Sequence, residues 1–325
     1  MWNVRWMALT LFMLLLISCE DEETNEVALP ENVSTEENVE FRNCLTSEVL
    51  EKQALEDPTI LQRMNQIEDF TKTYRTRERS ATERSSIVYI PVVIHVVYYN
   101  YYENISYSQI QSQIDVLNRD FNKLNSEVST IPSEFEDDAA AFNIYFYLDQ
   151  IVRVQSNRSS WGDSSDIKYS NRGGSDAWDT SKYLNIWVGN IGDGILGYAQ
   201  FPGGNPNTDG VVVSPQFFGT TGYVQTPFDL GRTTTHEVGH WLNLRHIWGD
   251  SRNCAVDDFV YDTPSQNSPN YGCPSYPTYH CNTSDMFMNF MDYTDDACMS
   301  MFTNGQKVRS RALFANGGFR EGFVR

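Results

Sequence analysis

Basic side chains, histidines and long apolar runs are scarce in this sequence of 325 residues. Its 24 Lys and Arg residues stand against 43 Asp and Glu, which gives a formal net charge of −19. A chain this acidic is a poor binder of nucleic acid, so we expect no nucleic-acid partner. No internal repeat of useful period occurs, and a repeat architecture is therefore not indicated. The hydrophobic content of 40% nevertheless suits the well-filled core of one large domain.

The N-terminus has the pattern of an export signal. Arg5 precedes an apolar run at residues 8–17, which is too short to span a bilayer and suits a signal-peptide core. The sequence LISC resembles the lipobox of bacterial lipoproteins, so residues 1–19 are interpreted as a signal peptide with Cys19 as the lipidated residue. An ordinary cleaved signal that contains a cysteine is the alternative. We expect an outer-membrane or cell-surface lipoprotein held to the membrane only through Cys19, or otherwise a secreted protein.

Residues 20–84 combine an acidic linker with a pro-segment. Between residues 20 and 57 there are 13 acidic and 2 basic side chains, a composition typical of a solvated linker. Apolar residues return at helical spacing between residues 44 and 70, which predicts a short ordered pro-segment. A basic stretch follows, and we predict processing near its four arginines: Arg75, Arg77, Arg79 and Arg84.

Residues 85–325 have the pattern of a mixed α/β (α+β) domain. The β-branched run SSIVYIPVVIHVVYY predicts a first core strand, and FNIYFYL, LNIWV and VVV predict further strands. A helix is predicted at residues 105–124, where Ser106 and Gln109 fit a capping box. Its apolar face comprises Ile110, Ile114, Leu117, Phe121 and Leu124. A second helix is predicted at residues 233–243.

One glycine pattern suggests a nucleotide site and is rejected. Gly192, Gly194 and Gly197 form G-x-G-x-x-G directly after the predicted strand LNIWV. The residues that follow, YAQFPGG, contain Pro202 and two glycines, which cannot open the helix that would receive a pyrophosphate. We therefore interpret this segment as a loop.

Three of the five histidines lie in THEVGHWLNLRH, residues 235–246. Positions i and i+4 of a helix share one face, so His236 and His240 can offer ring nitrogens to one zinc ion. Glu237 is placed to take a proton from an attacking water and return it to a leaving amine. A third histidine, His246, makes a chance match about fifty-fold rarer, given an average His usage of about 2%. The pattern is typical of metal-assisted amide hydrolysis.

His246 reaches the same metal only if the helix ends soon after His240 and the chain turns sharply. Some residue near position 243 should then adopt a positive φ. Asn243 is among the few residues other than glycine that enter the left-handed region readily, so it is compatible with the turn.

The segment HEVGHWLNLRHIWGD resembles the long zinc-binding signature of the metzincin metallopeptidases, and specifically of the pappalysin family. The metzincin consensus has glycine where this chain has Asn243, which is the one departure. The resemblance covers most of residues 87–315. It implies a metzincin-like catalytic domain with a mixed twisted sheet, a zinc-binding active-site helix and a loop-rich, disulfide-bonded C-terminal subdomain. We therefore expect a zinc-dependent endopeptidase, monomeric, with protein or peptide substrates.

A second element, FMNFMDYTDDACMSMF, resembles the methionine turn beneath the metzincin zinc site. Met291 matches its methionine, and Tyr293 matches a tyrosine that stabilises the tetrahedral intermediate. Asp296 matches a pocket carboxylate that favours Arg or Lys just after the scissile bond, with a surface turn residue as the alternative. The segment ILGYAQF matches an edge strand that pairs with extended substrate.

Four cysteines lie in the loop-rich region after the histidines, and an exported protein is expected to pair them as two disulfides, with three pairings open. The family resemblance favours Cys254 with Cys281 and Cys273 with Cys298. The same region contains hard oxygen ligands suited to Ca²⁺, for which an acidic surface loop is the alternative. These ligands are Asp257, Asp258, Asp262 and the Thr263 carbonyl.

If those four cysteines are paired and Cys19 is lipidated, Cys44 is the single free thiol. A thiolate is a good zinc ligand, so Cys44 can keep the enzyme latent until the basic linker is cut. The segment FRNCL resembles the cysteine switch of pappalysin zymogens, with Arg42 two residues before the cysteine. A reduced Cys44 without such a role, or a Cys19 to Cys44 disulfide, is the alternative.

A catalytically silent surface lipoprotein that uses the fold as a peptide- or protein-binding module is the alternative function. The intact Glu237 and three intact histidines argue against it, since a silent scaffold has no need of them.

Overall fold

The computed structural model describes Trp2, residues 41–76 and residues 86–324. The predicted signal peptide, Cys19 and the arginines Arg77, Arg79 and Arg84 lie outside the described residues. Five α-helices lie in the described part: α1 (Thr46–Glu56), α2 (Thr59–Thr76), α3 (Tyr107–Asp120), α4 (Arg232–Trp241) and α5 (Asn304–Ala312). None of these described helices is both long and apolar enough to cross a membrane.

The same residues contain seven strands: β1 (Val88–Tyr98), β2 (Ile144–Gln155), β3 (Leu184–Val188), β4 (Gly197–Ala199), β5 (Val211–Val213), β6 (Tyr271–Gly272) and β7 (Tyr293–Thr294). Five of them form one sheet in the order β2-β1-β3-β5-β4. Strands β2, β1, β3 and β5 run parallel to one another, and β4 runs antiparallel to β5 at the edge. The mixed α/β prediction is confirmed.

Strand β1 is the centre of the core because both of its faces are covered. Nine of its eleven residues are buried, and a strand buried on both faces has a near-continuous apolar sequence. Ile90 and Val92 contact the cluster that includes α3, whereas Val97 packs on the other side with Trp161 and Trp187.

Helix α3 shows where local sequence and tertiary structure disagree. The Ser106 hydroxyl accepts a hydrogen bond from the Gln109 amide nitrogen at 3.1 Å, as a capping box requires. The Gln109 side chain instead donates to the carbonyls of Pro215 and Phe218. The prediction for Leu124 was wrong, because α3 ends at Asp120 and Leu124 is 63% exposed.

The region after α4 is rich in loops and is held by two disulfides, as the family resemblance implied. Cys254 pairs with Cys281, and Cys273 pairs with Cys298. Cys44 is free and buried. On the N-terminal side, α1 packs against β4 and α2 packs against α5, and Arg75 lies exposed in the last turn of α2.

Candidate metal centre and active site

Helix α4 and the turn after it bring three histidines together. All ten residues of α4 are buried, and the helix ends at Trp241. Asn243 then adopts a φ of 71°, and the Leu244 amide donates back to the Gly239 carbonyl at 2.9 Å. This left-handed turn reverses the chain, as the sequence required, and returns His246 to the face that carries the first two histidines.

The three histidines turn their Nε2 atoms toward one point. The Nε2 atom of His240 lies 3.2 Å from that of His236 and 3.1 Å from that of His246. Each Nδ1 has its own acceptor: the carbonyl of Phe290 at 2.7 Å, the carbonyl of Leu244 at 2.8 Å and Oδ1 of Asp250 at 2.5 Å. Because Nδ1 carries the proton, each Nε2 presents a lone pair to its neighbours, which is stable only around a cation.

Cys44 places a fourth donor atom beside the three histidines. Its Sγ lies 3.6 Å from Nε2 of His240, and the four donor atoms all lie within 4.8 Å of one another. In a tetrahedral zinc site with Zn–N distances near 2.0–2.1 Å, ligand nitrogens are about 3.3 Å apart. The observed spacing fits zinc. No other cluster of three or more His, Cys, Asp or Glu donors of this kind occurs in the described part of the chain.

Burial tunes the protonation of these ligands. It lowers the pKa of His236 and His240 well below the ordinary value, with neighbouring histidines adding to the effect, so both rings are neutral as metal ligands require. Burial, followed by Glu237, raises the pKa of the Cys44 thiol well above 9.0 in the protein alone. A zinc ion held by the three histidines would favour the thiolate and oppose that shift.

Glu237 lies beside the metal ligands and is held by Thr46, at the start of α1. Its Oε2 accepts a hydrogen bond from the Thr46 hydroxyl at 3.0 Å and lies 3.4 Å from Sγ of Cys44. Burial raises the pKa of Glu237 to about 7, which suits a general base at neutral pH. Gly197 of β4 leaves room for this side chain, since a Cβ there would lie 3.0 Å from Cγ of Glu237.

Two side chains of the later methionine turn line the centre. Met291 is fully buried, and a Cβ on Gly239 of α4 would lie 2.5 Å from its sulfur, which explains the glycine within the histidine motif. The Tyr293 ring lies 4.9 Å from the His246 ring, and its hydroxyl donates to the Cys44 carbonyl at 3.3 Å.

Asp296 forms the floor of a buried pocket. Its Oδ2 accepts hydrogen bonds from the amides of Leu230 and Arg232 at the start of α4, at 2.9 and 3.1 Å. Its Oδ1 lies 2.6 Å from Nη2 of Arg42. Asp296 is thus buried and paired with Arg42 rather than exposed in a surface turn.

Arg42 fills this pocket with every part of its guanidinium engaged. Nη1 donates to the Thr233 hydroxyl and Nε to the Thr294 carbonyl, both at 3.2 Å, and the group lies 5.0 Å from the Phe228 ring centre. The sequence interpretation named Arg42 and Asp296 separately and missed their pairing.

Thr46 was missed altogether. The sequence contained one signal for it: positions 42, 44 and 46 of R-x-C-x-T alternate, and alternate side chains of an extended segment lie on one face. Besides holding Glu237, the Thr46 hydroxyl accepts a hydrogen bond from the Ala199 amide of β4 at 2.8 Å.

The residues predicted as calcium ligands have protein partners in the structure. Asp262 accepts hydrogen bonds from the Thr303 hydroxyl and the Gly305 amide, both at 2.7 Å, at the start of α5. Asp258 accepts from the Val260 amide and the Thr263 hydroxyl through Oδ1, whereas its buried Oδ2 has no partner among the described residues. Asp257 accepts from the Phe259 amide.

The glycine pattern at residues 192–197 forms a loop that leads into β4, as interpreted.

Three convergent histidines, a buried glutamate beside them and a methionine turn below define a zinc metallopeptidase of the metzincin type. The model of the peptidase family described as pregnancy-associated plasma protein-A matches residues 168–315. An extracellular metalloprotease of Arthroderma benhamiae is 30% identical over 237 residues, which cover 71% of this chain and 79% of that protein. The chain therefore belongs to this metallopeptidase family, the pappalysins.

Solved structures agree with this assignment. A mutant of promirolysin from Tannerella forsythia superposes with a TM-score of 0.79 at 43% identity and covers 87% of this chain and 97% of its own. Mature mirolysin from the same organism, in complex with a cleaved peptide, has a TM-score of 0.72 at 47% identity and covers 74% of this chain and 96% of its own. The metzincin-like fold and the peptidase activity predicted from the sequence are confirmed.

Proposed function

We propose that this protein is an exported zinc endopeptidase that is made as a latent zymogen and cleaves before Arg or Lys. Three contacts of one short segment carry this proposal. Arg42 pairs with Asp296, Cys44 lies beside the histidines, and Thr46 donates to Glu237. One extended segment thus covers the specificity pocket, the metal ligands and the general base together. A silent binding module is not favoured, because every catalytic group is intact.

Each catalytic residue has a separate role in the proposed reaction. Zinc, held by His236, His240 and His246, would polarise the scissile carbonyl and acidify the attacking water. Glu237 accepts the proton of that water and returns it to the leaving amine, which its pKa of about 7 permits. The Tyr293 hydroxyl, which now donates to the Cys44 carbonyl, donates to the substrate carbonyl once the pro-segment has left.

Substrate backbone binds along the edge strand β4. In the latent form the Leu196 amide donates to the Asn43 carbonyl at 3.0 Å, and the Leu45 amide donates to the Gly197 carbonyl at 3.1 Å. These bonds show that the edge accepts an added extended segment. Removal of residues 43–45 frees the same backbone groups for a peptide.

Latency rests on Cys44. Its Sγ occupies the fourth donor position beside the three histidines, where water would otherwise enter. The extent of the two mirolysin matches supports a pro-segment, since the pro-form covers 87% of this chain and the mature form 74%. Cleavage in the linker between α2 and β1 would separate it from the rest of the chain and so allow it to leave.

The remaining features of the proposal concern location and a second metal. Relatives are named extracellular metalloproteases, which supports export. The proposal also includes Cys19 as the lipid anchor and a monomeric enzyme. The unpartnered Oδ2 of Asp258 supports a structural Ca²⁺ near Asp258, Asp262 and Thr263. An unchanged melting temperature on adding Ca²⁺ to chelator-treated protein would count against that site.

Cleavage-site profiling in a peptide mixture tests the proposed function. The activated enzyme should place Arg or Lys directly after most cuts and should stop when a zinc chelator is added. Random residues after the cut would remove the specificity proposal, and chelator-insensitive cleavage would remove the zinc mechanism.

A further inference from the structure

The pro-segment contacts the catalytic domain at a second place, remote in sequence from Cys44. Helix α2 lies directly on the backbone of Gly203, where an added Cβ would lie 3.3 to 3.4 Å from side-chain atoms of Arg63, Met64 and Ile67. Arg63 Nε donates to the Gly203 carbonyl at 2.5 Å. Ile67 also packs against the main core cluster. This face of α2 is therefore docked rather than solvated.

A buried ion pair lies at the centre of this contact. Glu68 of α2 accepts two hydrogen bonds from Arg309 of α5, at 2.9 and 2.6 Å, and both side chains are largely buried. Arg309 Nε also donates to the carbonyl of Asn243, the residue that makes the left-handed turn between the histidines. The helix is thus bonded to the catalytic domain through a carboxylate and a forked guanidinium, the strongest pairing geometry that side chains offer.

A second arginine, Arg245, also interacts electrostatically with the Glu68 carboxylate. The positive charges of Arg309 and then Arg245 lower the pKa of Glu68, although burial opposes them. The Arg245 guanidinium lies 4.9 Å from the Phe259 ring centre and that of Arg309 lies 5.5 Å from it. Arg245 Nε has no hydrogen-bond partner among the described residues. Departure of α2 would remove the carboxylate that is hydrogen-bonded to Arg309, and only Asp250 and Asp258 would remain to offset the neighbouring charges of Arg245 and Arg309, which is unfavourable.

A cut in residues 77–84 breaks none of these contacts. After the cut, the segment that holds Arg42, Cys44 and Thr46 is still joined through α1 to the helix that holds Glu68. Two contacts on one short chain reinforce each other, because each keeps the other at high effective concentration. Release requires both to open together.

We propose that the groove formed by Gly203, Asn243, Arg245, Phe259 and Arg309 is a binding site for α2 that retains the pro-segment after cleavage, as a slowly dissociating inhibitor of the same enzyme. This inference rests on the proposed zymogen. The cut and the release of the pro-segment are then two separate events. The ion pair between Glu68 and Arg309 is what delays the release after the cut.

The test uses the full chain with a site for a specific protease placed in residues 77–84. Glu68→Gln removes the charge that the groove binds. Asp69→Asn is its matched control, because Asp69 is the adjacent acid of the same helix and is exposed, with only a loose contact to Lys72 at 3.7 Å. After the cut, size-exclusion chromatography follows the pro-segment, and peptide hydrolysis on dilution follows activity.

The wild-type and Asp69→Asn pro-segments should co-elute with the enzyme after the cut, and activity should appear slowly. The Glu68→Gln pro-segment should separate at least about tenfold faster, as loss of a buried ion pair implies. Immediate separation of the wild-type pro-segment, or equal rates for the two variants, would overturn the inference.

A Cys44→Ala chain separates this inference from the proposed latency. Its cut pro-segment should still co-elute through the groove, although no thiol can reach the metal ligands. Because one of the two contacts is lost, release should be faster than from the wild type but slower than from a chain that carries both Cys44→Ala and Glu68→Gln. Equal release rates for these two chains would contradict the groove. Activity of the same chain before the cut tests latency instead, so the two failures give different readouts.

Discussion

The guanidinium of Arg42 lies 2.6 Å from the carboxylate of Asp296, and the two side chains are 1% and 0% exposed. A buried arginine needs such a partner, and a buried aspartate at the start of a helix is rarely left open to an incoming cation. The pair therefore places an arginine on the carboxylate that is proposed to recognise a basic side chain in substrates.

Asp296→Asn should remove the preference for a basic residue after the cut. In the activated enzyme we expect kcat/KM for an Arg substrate to fall by about 10²- to 10⁴-fold, because breaking a buried pair costs about 3–5 kcal/mol. A substrate with Leu at that position should change much less. An unchanged ratio of the two rates would contradict the role of Asp296.

Cys44→Ala should give a precursor that is active before any linker cut, because no thiol then occupies the fourth donor position. The gain is measured as peptide hydrolysis by the uncut chain, with intactness checked by mass. Lys52→Ala, in the same segment but paired with Asp163 at the protein surface, is the control. A fully latent Cys44→Ala precursor would contradict the thiol switch.

Gly239→Ala should destabilise the domain, because the new Cβ would lie 2.5 Å from the Met291 sulfur. Overpacking of this kind costs about 1–3 kcal/mol, which urea unfolding resolves. Gly239→Ala combined with Met291→Ala should recover part of the loss, since the clash is removed. A double variant that merely adds the two single losses would show that the contact is not the cause.

Lys168 makes stability depend on pH in a predictable direction. Burial lowers its pKa to about 7, Asp209 opposes this, and the ammonium has one hydrogen bond, to the Thr208 carbonyl at 2.7 Å. The folded state then binds fewer protons than the unfolded state between pH 7 and the ordinary pKa of 10.5, so stability rises across that interval. At pH 6 the wild type should have a lower urea midpoint than Lys168→Met. The difference between the two midpoints should shrink as the pH is raised to 9. A difference that stays constant with pH would contradict this.

The sequence was most informative where chemistry is local. The histidine spacing and the left-handed tendency of Asn243 were sufficient to predict the turn, because both act within twelve residues. The helix limit was wrong at Leu124, since the side chains that decide where α3 ends lie elsewhere in the fold.

The long-range pairings were beyond local patterns. Arg42 and Asp296 are 254 positions apart, and Glu68 and Arg309 are 241 apart. No periodicity connects such residues, and only the fold brings them together. Cys44 was singled out by counting thiols, whereas Thr46 attracts no attention until Glu237 is seen beside it.

The most direct test of the account compares Glu237→Gln with wild type after removal of the pro-segment, measuring bound zinc and peptide hydrolysis on the same samples. The account predicts one zinc per chain in both proteins, because the three histidines are unchanged. Hydrolysis by the variant should be lower by at least about 10²- to 10⁴-fold, the usual contribution of a general base. Comparable hydrolysis by Glu237→Gln with zinc retained would contradict the central claim.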